Sequence, residues 1–384
     1  MRAASQPPTQ IPLPRQPGWI GVSRGTALGL ACLLSCNLME ILHYGSSSTE
    51  NWFCSLRPLP DAMARVLVAM AVPSFLLFAI RSAVPGPIRN TLLLISALLL
   101  AAMARDLQVT FNQLPEADRF RGSARSIAAI AFLLTAGLGL LSNSRHGTAT
   151  LGQTAPLLFA AAATVFAFPI ACIQSASTPW PLPDKPQLCL ITAPLTDNGN
   201  SSTSSTSASL AATAAGLIRI APDTLFLVCK SARSGPSNAI AVDVQQALAA
   251  AGIPAEAILI LPEVSEDALF ASLPKHPSLQ ASPQRRISIL AAAEELARLD
   301  LLARRHNLAP LLIPDSASTD AVSPSRTLRQ TLQLLQTMVQ PASEYLQSLR
   351  APAETQLELS PDSDETVDPQ QLIRELQEAA AAEP

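Results

Sequence analysis

Long apolar runs occupy the first half of this chain, whereas the second half has only short ones. The long runs lie near residues 24–43, 62–80, 91–104, 126–141 and 154–175. A helix that crosses a bilayer needs about 20 mostly apolar residues. Only 14% of all residues are charged, against about 25% in a soluble domain, so part of the chain must face lipid. We therefore expect residues 19–177 to form a membrane domain of about five transmembrane helices.

The two ends of the chain have a different composition from the apolar runs. Residues 1–18 form a Pro-rich tail, and residues 351–384 form an acidic tail rich in Ala and Pro that we expect to be disordered. The net charge is −3 and only 4% of the residues are aromatic. No stretch of the sequence combines a run of basic residues with interleaved aromatic residues. Nucleic acid is therefore excluded as a partner, and the lipid bilayer is expected as one.

Five spans would place the two ends of the chain on opposite sides of the membrane. The loop with Arg81 and Arg89 favours a cytoplasmic N-terminus under the positive-inside rule, whereas the loop with Arg119 and Arg121 argues against it. We interpret the pattern as a bacterial inner-membrane protein with its second half in the periplasm. Glu40 is costly in lipid, so we expect it to mark where the first helix leaves the membrane.

Short apolar runs alternate with helical patterns from residue 186 to residue 350. Near-continuous apolar character is typical of parallel strands that are buried on both faces. The second half is therefore predicted to be an α/β domain with a doubly wound, mainly parallel, Rossmann-like sheet. The predicted strands are 188–192, 225–229, 258–261, 287–290 and 311–313.

Three longer helices are predicted between and after these strands. The first begins at Ser237 and Asn238, which can cap it, and stops at Gly252. The second covers residues 294–306. The third covers residues 325–349, and its apolar side is formed by Leu328, Leu332, Leu335, Val339 and Leu346.

Ligands of doubly wound sheets bind at the carboxyl ends of the strands, so four turns are candidate sites. After the first strand, the Ser/Thr-rich stretch up to Ser209 is interpreted as a flexible loop. After the second, Lys230 and Arg233 either hold an anion near the cap at Ser237 and Asn238 or belong to a solvated loop.

The third and fourth turns carry carboxylates. Glu266 and Asp267 follow the third strand, where acids at a helix start are stabilising without any function. Glu295 follows the fourth strand, and Arg298 lies one turn further on. Arg298 either forms an ordinary surface pair with Glu294 or holds an anion while a carboxylate acts as the base.

No Ser-His-Asp or Cys-His set can be assembled from this sequence. His306 is expected at a helix end remote from the strand tips, and no Cys/His cluster predicts a metal. Cys189 and Cys229 fall on two predicted strands, so they either pair in an oxidising compartment or are simply small buried residues; the second interpretation is favoured.

Several stretches between residues 187 and 348 resemble the YdcF-like (SanA/ElyC-type) domain family of bacterial envelope proteins. The resemblance rests on "AIAVDVQQALAAAGIPAEAILIL", on "SEDAL", on "ISILAAAEELARLDLLARRHNLAPLLIP" and on "TLRQTLQLLQTMVQPASEYL". Glu266 and Asp267 match the family's Glu-Asn positions, and Arg298 matches its arginine. The family's Thr-Ser is Ala291-Ala292 here, its histidine is Glu295, and its Ser-Glu-Ala is Ser237-Asn238-Ala239.

The resemblance implies a role in cell-envelope biogenesis, in peptidoglycan or lipid-carrier metabolism. From the residues of these turns, Glu266 and Glu295 are the catalytic candidates, and Ser237, Asn238, Asp267 and Arg298 are the candidates for substrate binding; the resemblance itself carries over at Glu266 and Arg298. We expect no cofactor from the residues themselves, while the resemblance alone implies S-adenosylmethionine. Envelope precursors and other membrane proteins are the expected partners. A non-catalytic scaffold, and an enzyme acting on a phosphorylated lipid-linked or sugar substrate, remain alternatives.

Overall fold

The computed structural model describes most of the chain between its two tails. The described residues are 19–44, 61–81, 84–142, 154–179, 188–192, 203–231, 238–264, 266–276, 279, 285–315 and 324–350. Four predicted segments lie outside these ranges: the two tails, the turn after the first strand up to residue 202, and the turn 232–237. The last of these includes the predicted cap residue Ser237.

The first half forms a helical bundle. Four of its helices are long and apolar enough to cross a membrane, while α2 contributes the shorter apolar stretch Arg65–Ile80. The part of the chain that the structure describes thus holds a helical bundle with four candidate spans, against the five that were expected, and a fifth, shorter apolar helix beside them. The helices are α1 (Trp19–Tyr44), α2 (Asp61–Ile80), α3 (Gly86–Gln113), the short α4 (Arg119–Gly122), α5 (Ala124–Ser142) and α6 (Thr154–Ala176).

Helices α1 and α6 run parallel and in close contact. Gly25 lies against Leu157 and Ala160, and one turn later Gly29 lies against Thr164. A Cβ at Gly29 would come within 2.6 Å of the Thr164 Cβ, so a larger residue cannot fit at this crossing. This is the small-xxx-small packing that lets membrane helices approach closely.

A buried arginine joins α1 to the end of α2. The Nε of Arg24 donates to the carbonyl of Ala79 at 3.1 Å, and its Nη2 donates to the carbonyl of Ile80 at 2.9 Å. The last carbonyls of a helix have no partner within the helix and carry partial negative charge, so Arg24 satisfies them. The C-terminal end of α2 therefore lies at the N-terminal end of α1.

The second half forms one sheet in which every strand pairing is parallel. The strand order is β3-β2-β1-β4-β5, so the order reverses between β1 and β4. All five predicted strands and the predicted parallel sheet are confirmed. The strands are β1 (Leu188–Thr192), β2 (Leu225–Ser231), β3 (Ile258–Val264), β4 (Arg286–Ala291) and β5 (Ala309–Pro314).

Helices cover both faces of the sheet, as a doubly wound fold requires. One face packs Cys189, Ile191 and Phe226 against α7 and α8. The other face packs Leu188 and Ile289 against α9 and α10. These helices are α7 (Thr203–Ile220), α8 (Asn238–Ala250), α9 (Glu266–Ser272), α10 (Leu296–Arg305) and the last helix, α11 (Pro324–Arg350).

The α/β domain rests on one end of the bundle, where α1 and α6 end. Residues of the sheet, of α10 and of α11 share one continuous apolar core with the bundle helices. The Nε of the buried Arg305, at the end of α10, lies 3.3 Å from a carboxylate oxygen of Glu40 in α1. The Nη2 of Arg305 also donates to the Thr337 carbonyl of α11 at 2.5 Å. This arginine therefore joins α1, α10 and α11.

Two expectations about local structure were wrong. The Ser/Thr stretch, interpreted as a flexible loop, is helical from Thr203 onward as part of α7. Hydroxyl residues are favoured where a helix begins. The alanines that follow them have high helix propensity. In α11 the core side is formed by Thr331, Leu334 and Met338 rather than by the predicted apolar stripe.

Candidate functional site

The third and fourth turns meet on the side of the sheet that faces the bundle. Glu266 begins α9 directly after β3, and Glu295 precedes α10 directly after β4. Helices α9 and α10 contact each other. The structure therefore brings the carboxylates of both turns to one region near the carboxyl edge.

A bidentate ion pair lies at the centre of this region. Both Nη atoms of Arg298 donate to the Glu266 carboxylate, and the Nη2 to Oε1 distance is 2.9 Å. The side chain of Arg298 is 4% exposed and that of Glu266 is 21% exposed. The expected surface pair between Glu294 and Arg298 is therefore wrong, because Arg298 is buried and its guanidinium is directed at α9.

A second carboxylate acts on the same arginine. Desolvation by burial works to lower the pKa of Arg298, but the hydrogen bonds and charge of Glu266, together with the charge of Glu295, outweigh it and raise the pKa. Glu295 is itself buried. The arginine thus stays charged in a buried site, and two acidic side chains stabilise that charge.

Thr192 is a residue of this region that the sequence analysis did not single out. It ends β1 at the point where the strand order reverses, and it shares the face of Leu188 and Leu190 because side chains alternate along a strand. Its hydroxyl oxygen is buried and has no hydrogen-bond partner among the described residues. In the sequence, Thr192 could have been recognised as the hydroxyl residue that ends an otherwise apolar strand.

Cys229 lies on the same side of the sheet, near the end of β2. Burial, and to a smaller extent the charge of Glu266, raise the pKa of its thiol to about 12. Because the thiolate is the nucleophilic form, Cys229 is unsuited to attack a substrate near neutral pH. Its buried thiol instead forms part of the apolar wall beside Glu266.

Asp267 pairs with His306, the histidine that was expected at a helix end remote from the strand tips. The His306 Nε2 lies 3.2 Å from the Asp267 Oδ1, with the two side chains 15% and 43% exposed. His306 directly follows α10, and its partner Asp267 lies in the first turn of α9 next to Glu266. The region contains an oriented imidazole that could transfer a proton.

On the opposite face, Asp315 directly follows β5. Its carboxylate accepts a hydrogen bond from the Ser209 hydroxyl of α7, and its backbone N–H donates to the Ala291 carbonyl at 2.9 Å. Asp315 is buried and follows the fifth strand, so it lies outside the four turns that were predicted as candidate sites. Asp315 joins the end of β5 to α7.

The two strand cysteines do not form a disulfide. Cys189 and Cys229 are free, and Thr192, not Cys189, is the register partner of Cys229. Cys189 lies on the face covered by α7 and α8, whereas Cys229 lies on the face towards the bundle. Bridging them would require Cα atoms within about 7 Å and Cβ atoms that point towards each other.

Among the residues that the structure describes, no group of three or more His, Cys, Asp and Glu side chains could hold a metal ion. Of the predicted substrate-binding residues, Asp267 and Arg298 join Glu266 and Glu295 in one region. Asn238 begins α8 on the other face of the sheet.

Fold and site together define a membrane-helix bundle that carries a parallel α/β domain with a buried acidic and arginine cluster at its carboxyl edge. No protein-family model, no curated protein and no solved structure matches this chain. The YdcF-like resemblance of the second half therefore stays a prediction.

Proposed function

We propose that this chain is a bacterial inner-membrane protein of cell-envelope biogenesis, and that its α/β domain binds a membrane-tethered precursor of peptidoglycan or lipid-carrier metabolism. The observation that carries the proposal is the attachment of the domain to the bundle. A continuous apolar core and the buried Arg305 with Glu40 hold the sheet in a fixed position relative to the helices. A ligand that is itself anchored in the bilayer suits this arrangement.

The Glu266–Arg298 pair supports a binding or scaffold role for the domain. Each charge already has a partner inside the protein. An anionic substrate would have to displace Glu266 before it reached the guanidinium. We assign the pair to positioning α9 against α10, and we assign ligand contact to the carboxyl edge around Thr192.

Thr192 allows a clean binding experiment. Its hydroxyl is buried and has no partner among the described residues, so Thr192→Val should not lower the stability of the protein. Loss of one ligand hydrogen bond worth ~1 kcal/mol should weaken binding about fivefold. The full chain in nanodiscs would be titrated with a polyprenyl phosphate and, separately, with phosphatidylglycerol. Asp223→Asn, an exposed site in the turn before β2 at the opposite edge, is the control.

Two results would count against this assignment. If the wild-type chain binds both lipids equally, the proposed ligand class is wrong. If binding is selective but unchanged in Thr192→Val, the ligand does not lie at the end of β1. A reporter enzyme active only outside the cytoplasm, fused after Arg350, tests the proposed periplasmic side. A cytoplasmic location of the fused reporter would exclude extracytoplasmic precursors as ligands and would favour S-adenosylmethionine as the ligand.

The second candidate function is an enzyme acting on a phosphorylated lipid-linked or sugar substrate. It is favoured by one specific observation, the His306 imidazole held by Asp267. A carboxylate that orients a histidine prepares it to act as a general base or acid. His306→Gln should then abolish phosphate release from a polyprenyl diphosphate while binding is retained. If the wild-type chain releases no phosphate from a polyprenyl diphosphate, this candidate function is eliminated.

A further inference from the structure

The last helix, α11, exposes an apolar stripe that the protein does not cover. Leu328, Leu332 and Val339 are 57%, 50% and 47% exposed, and Leu335 between them is half-buried. These positions recur every three to four residues and so lie on one side of the helix. The stripe is a solvent-exposed surface next to a membrane bundle, and large apolar surfaces of this kind mark interaction sites.

Three faces follow one another around α11. With about 100° per residue, Thr331, Leu334 and Met338 form the face buried against the protein. The apolar stripe comes next, and beyond it Arg329 and Gln336 form a polar, exposed face. A helix lying where protein, lipid and water meet needs faces in this order.

The contacts of α11 fix its level relative to the bundle. Its Thr337 carbonyl accepts a hydrogen bond from Arg305, which also pairs with Glu40 of α1. No charged residue lies between Arg24 and Glu40. Their 16-residue separation is a rise of about 24 Å, near the roughly 30 Å of a hydrocarbon core. Glu40 therefore marks the headgroup level at the domain end, and α11 is attached there.

We propose that α11 is an interfacial helix whose stripe of Leu328, Leu332, Leu335 and Val339 inserts into the headgroup region of the bilayer. Amphipathic helices lie in this way with their apolar face just below the headgroups. The stripe is continuous with the bundle because α11 packs directly against α1 and α6. The proposal requires that the bundle lies in a bilayer, but it is independent of the ligand and chemistry proposed above.

Quenching of tryptophan fluorescence by brominated lipid tests the proposal. The full chain with Trp19, Trp52 and Trp180 replaced by Phe would be placed in nanodiscs whose lipids carry bromine near the headgroup end. Leu332→Trp should be quenched as strongly as Leu138→Trp, a position exposed on α5 at the other end of the bundle. Gln336→Trp, on the polar face of α11, should keep its fluorescence.

The proposal would be overturned if brominated lipid quenched Leu332→Trp no more strongly than it quenched Gln336→Trp. An unquenched stripe in a chain that is dimeric by mass would instead assign the surface to a second copy. Leu328→Trp, at the N-terminal end of the stripe, serves as the second probe if Leu332→Trp lacks the wild-type thermal transition. Neither outcome depends on polyprenyl phosphate binding, so this proposal and the proposed function can fail separately.

Discussion

Arg298 and Arg305 lie seven residues apart on one side of α10, and each pairs with a carboxylate of a different element. Arg298 binds Glu266 of α9 near the carboxyl edge, and Arg305 binds Glu40 of α1. Seven residues are two helical turns, a rise of ~10 Å. One short helix therefore links the candidate site to the membrane bundle.

The two partners of the Glu266–Arg298 pair should differ in their cost of removal. Glu266→Ala takes the hydrogen-bonded carboxylate from an arginine that is 4% exposed and leaves it the charge of Glu295, whereas Arg298→Ala leaves at position 266 a glutamate that already reaches water. Breaking a buried pair by removing one partner costs ~3–5 kcal/mol. We expect Glu266→Ala to approach that value and Arg298→Ala to cost clearly less, as measured by urea unfolding in nanodiscs. Equal costs would mean that the arginine reaches water in solution.

Removal of Glu40 should loosen the α/β domain from the bundle. Glu40→Ala leaves the buried Arg305 without the carboxylate that joins it to α1. Amide hydrogen exchange should therefore rise at the end of α10 and around Thr337 of α11. Asp300→Ala is the matched control, because it removes an ordinary i,i+4 partner of Arg304 on the same helix, a pair worth ~0.3–0.5 kcal/mol. Unchanged exchange in Glu40→Ala would show that the apolar core alone holds the domain.

A larger residue at Gly29 should disrupt the packing of α1 on α6. A Cβ there meets Thr164 and the Ala161 carbonyl, and overpacking costs ~1–3 kcal/mol for modest insertions. We expect Gly29→Val to lower the thermal transition of the bundle. Gly137→Val in α5 should be tolerated, because nothing lies within 4 Å of its added Cβ. Equal transitions for both variants would contradict the close parallel contact.

The strand thiols should be inert in the folded chain. Burial raises the pKa of both Cys189 and Cys229 to about 12, from a model-compound value of 9.0. Near pH 8 both are protonated, so alkylation should require unfolding. The unfolded thiols ionise above pH 9.0 while the folded ones do not, so this contribution to stability is present below pH 9 and is lost between pH 9 and about 12. Mass spectrometry after timed alkylation measures the reactivity. Rapid labelling of the native chain at these positions would disagree with their burial.

The strands could be predicted because parallel strands buried on both faces carry continuous apolar runs, as Leu188 to Thr192 does. The partner of Arg298 could not be predicted in the same way. Glu294 is its neighbour at i,i+4 along the chain, while Glu266 is brought to it by the sheet and by α9. The same holds for His306 with Asp267. The Gly25-x-x-x-Gly29 spacing in α1 was a readable signal of close helix packing, and it was overlooked.

The parallel packing of α1 on α6 has a consequence for biosynthesis. The two helices are the first and the last of the bundle, and the glycine surface of α1 fits Ala160 and Thr164 of α6. Of these two helices, α1 leaves the ribosome first, so their contact forms only after the helices between them have been made. The glycine surface of α1 is unmatched during that interval.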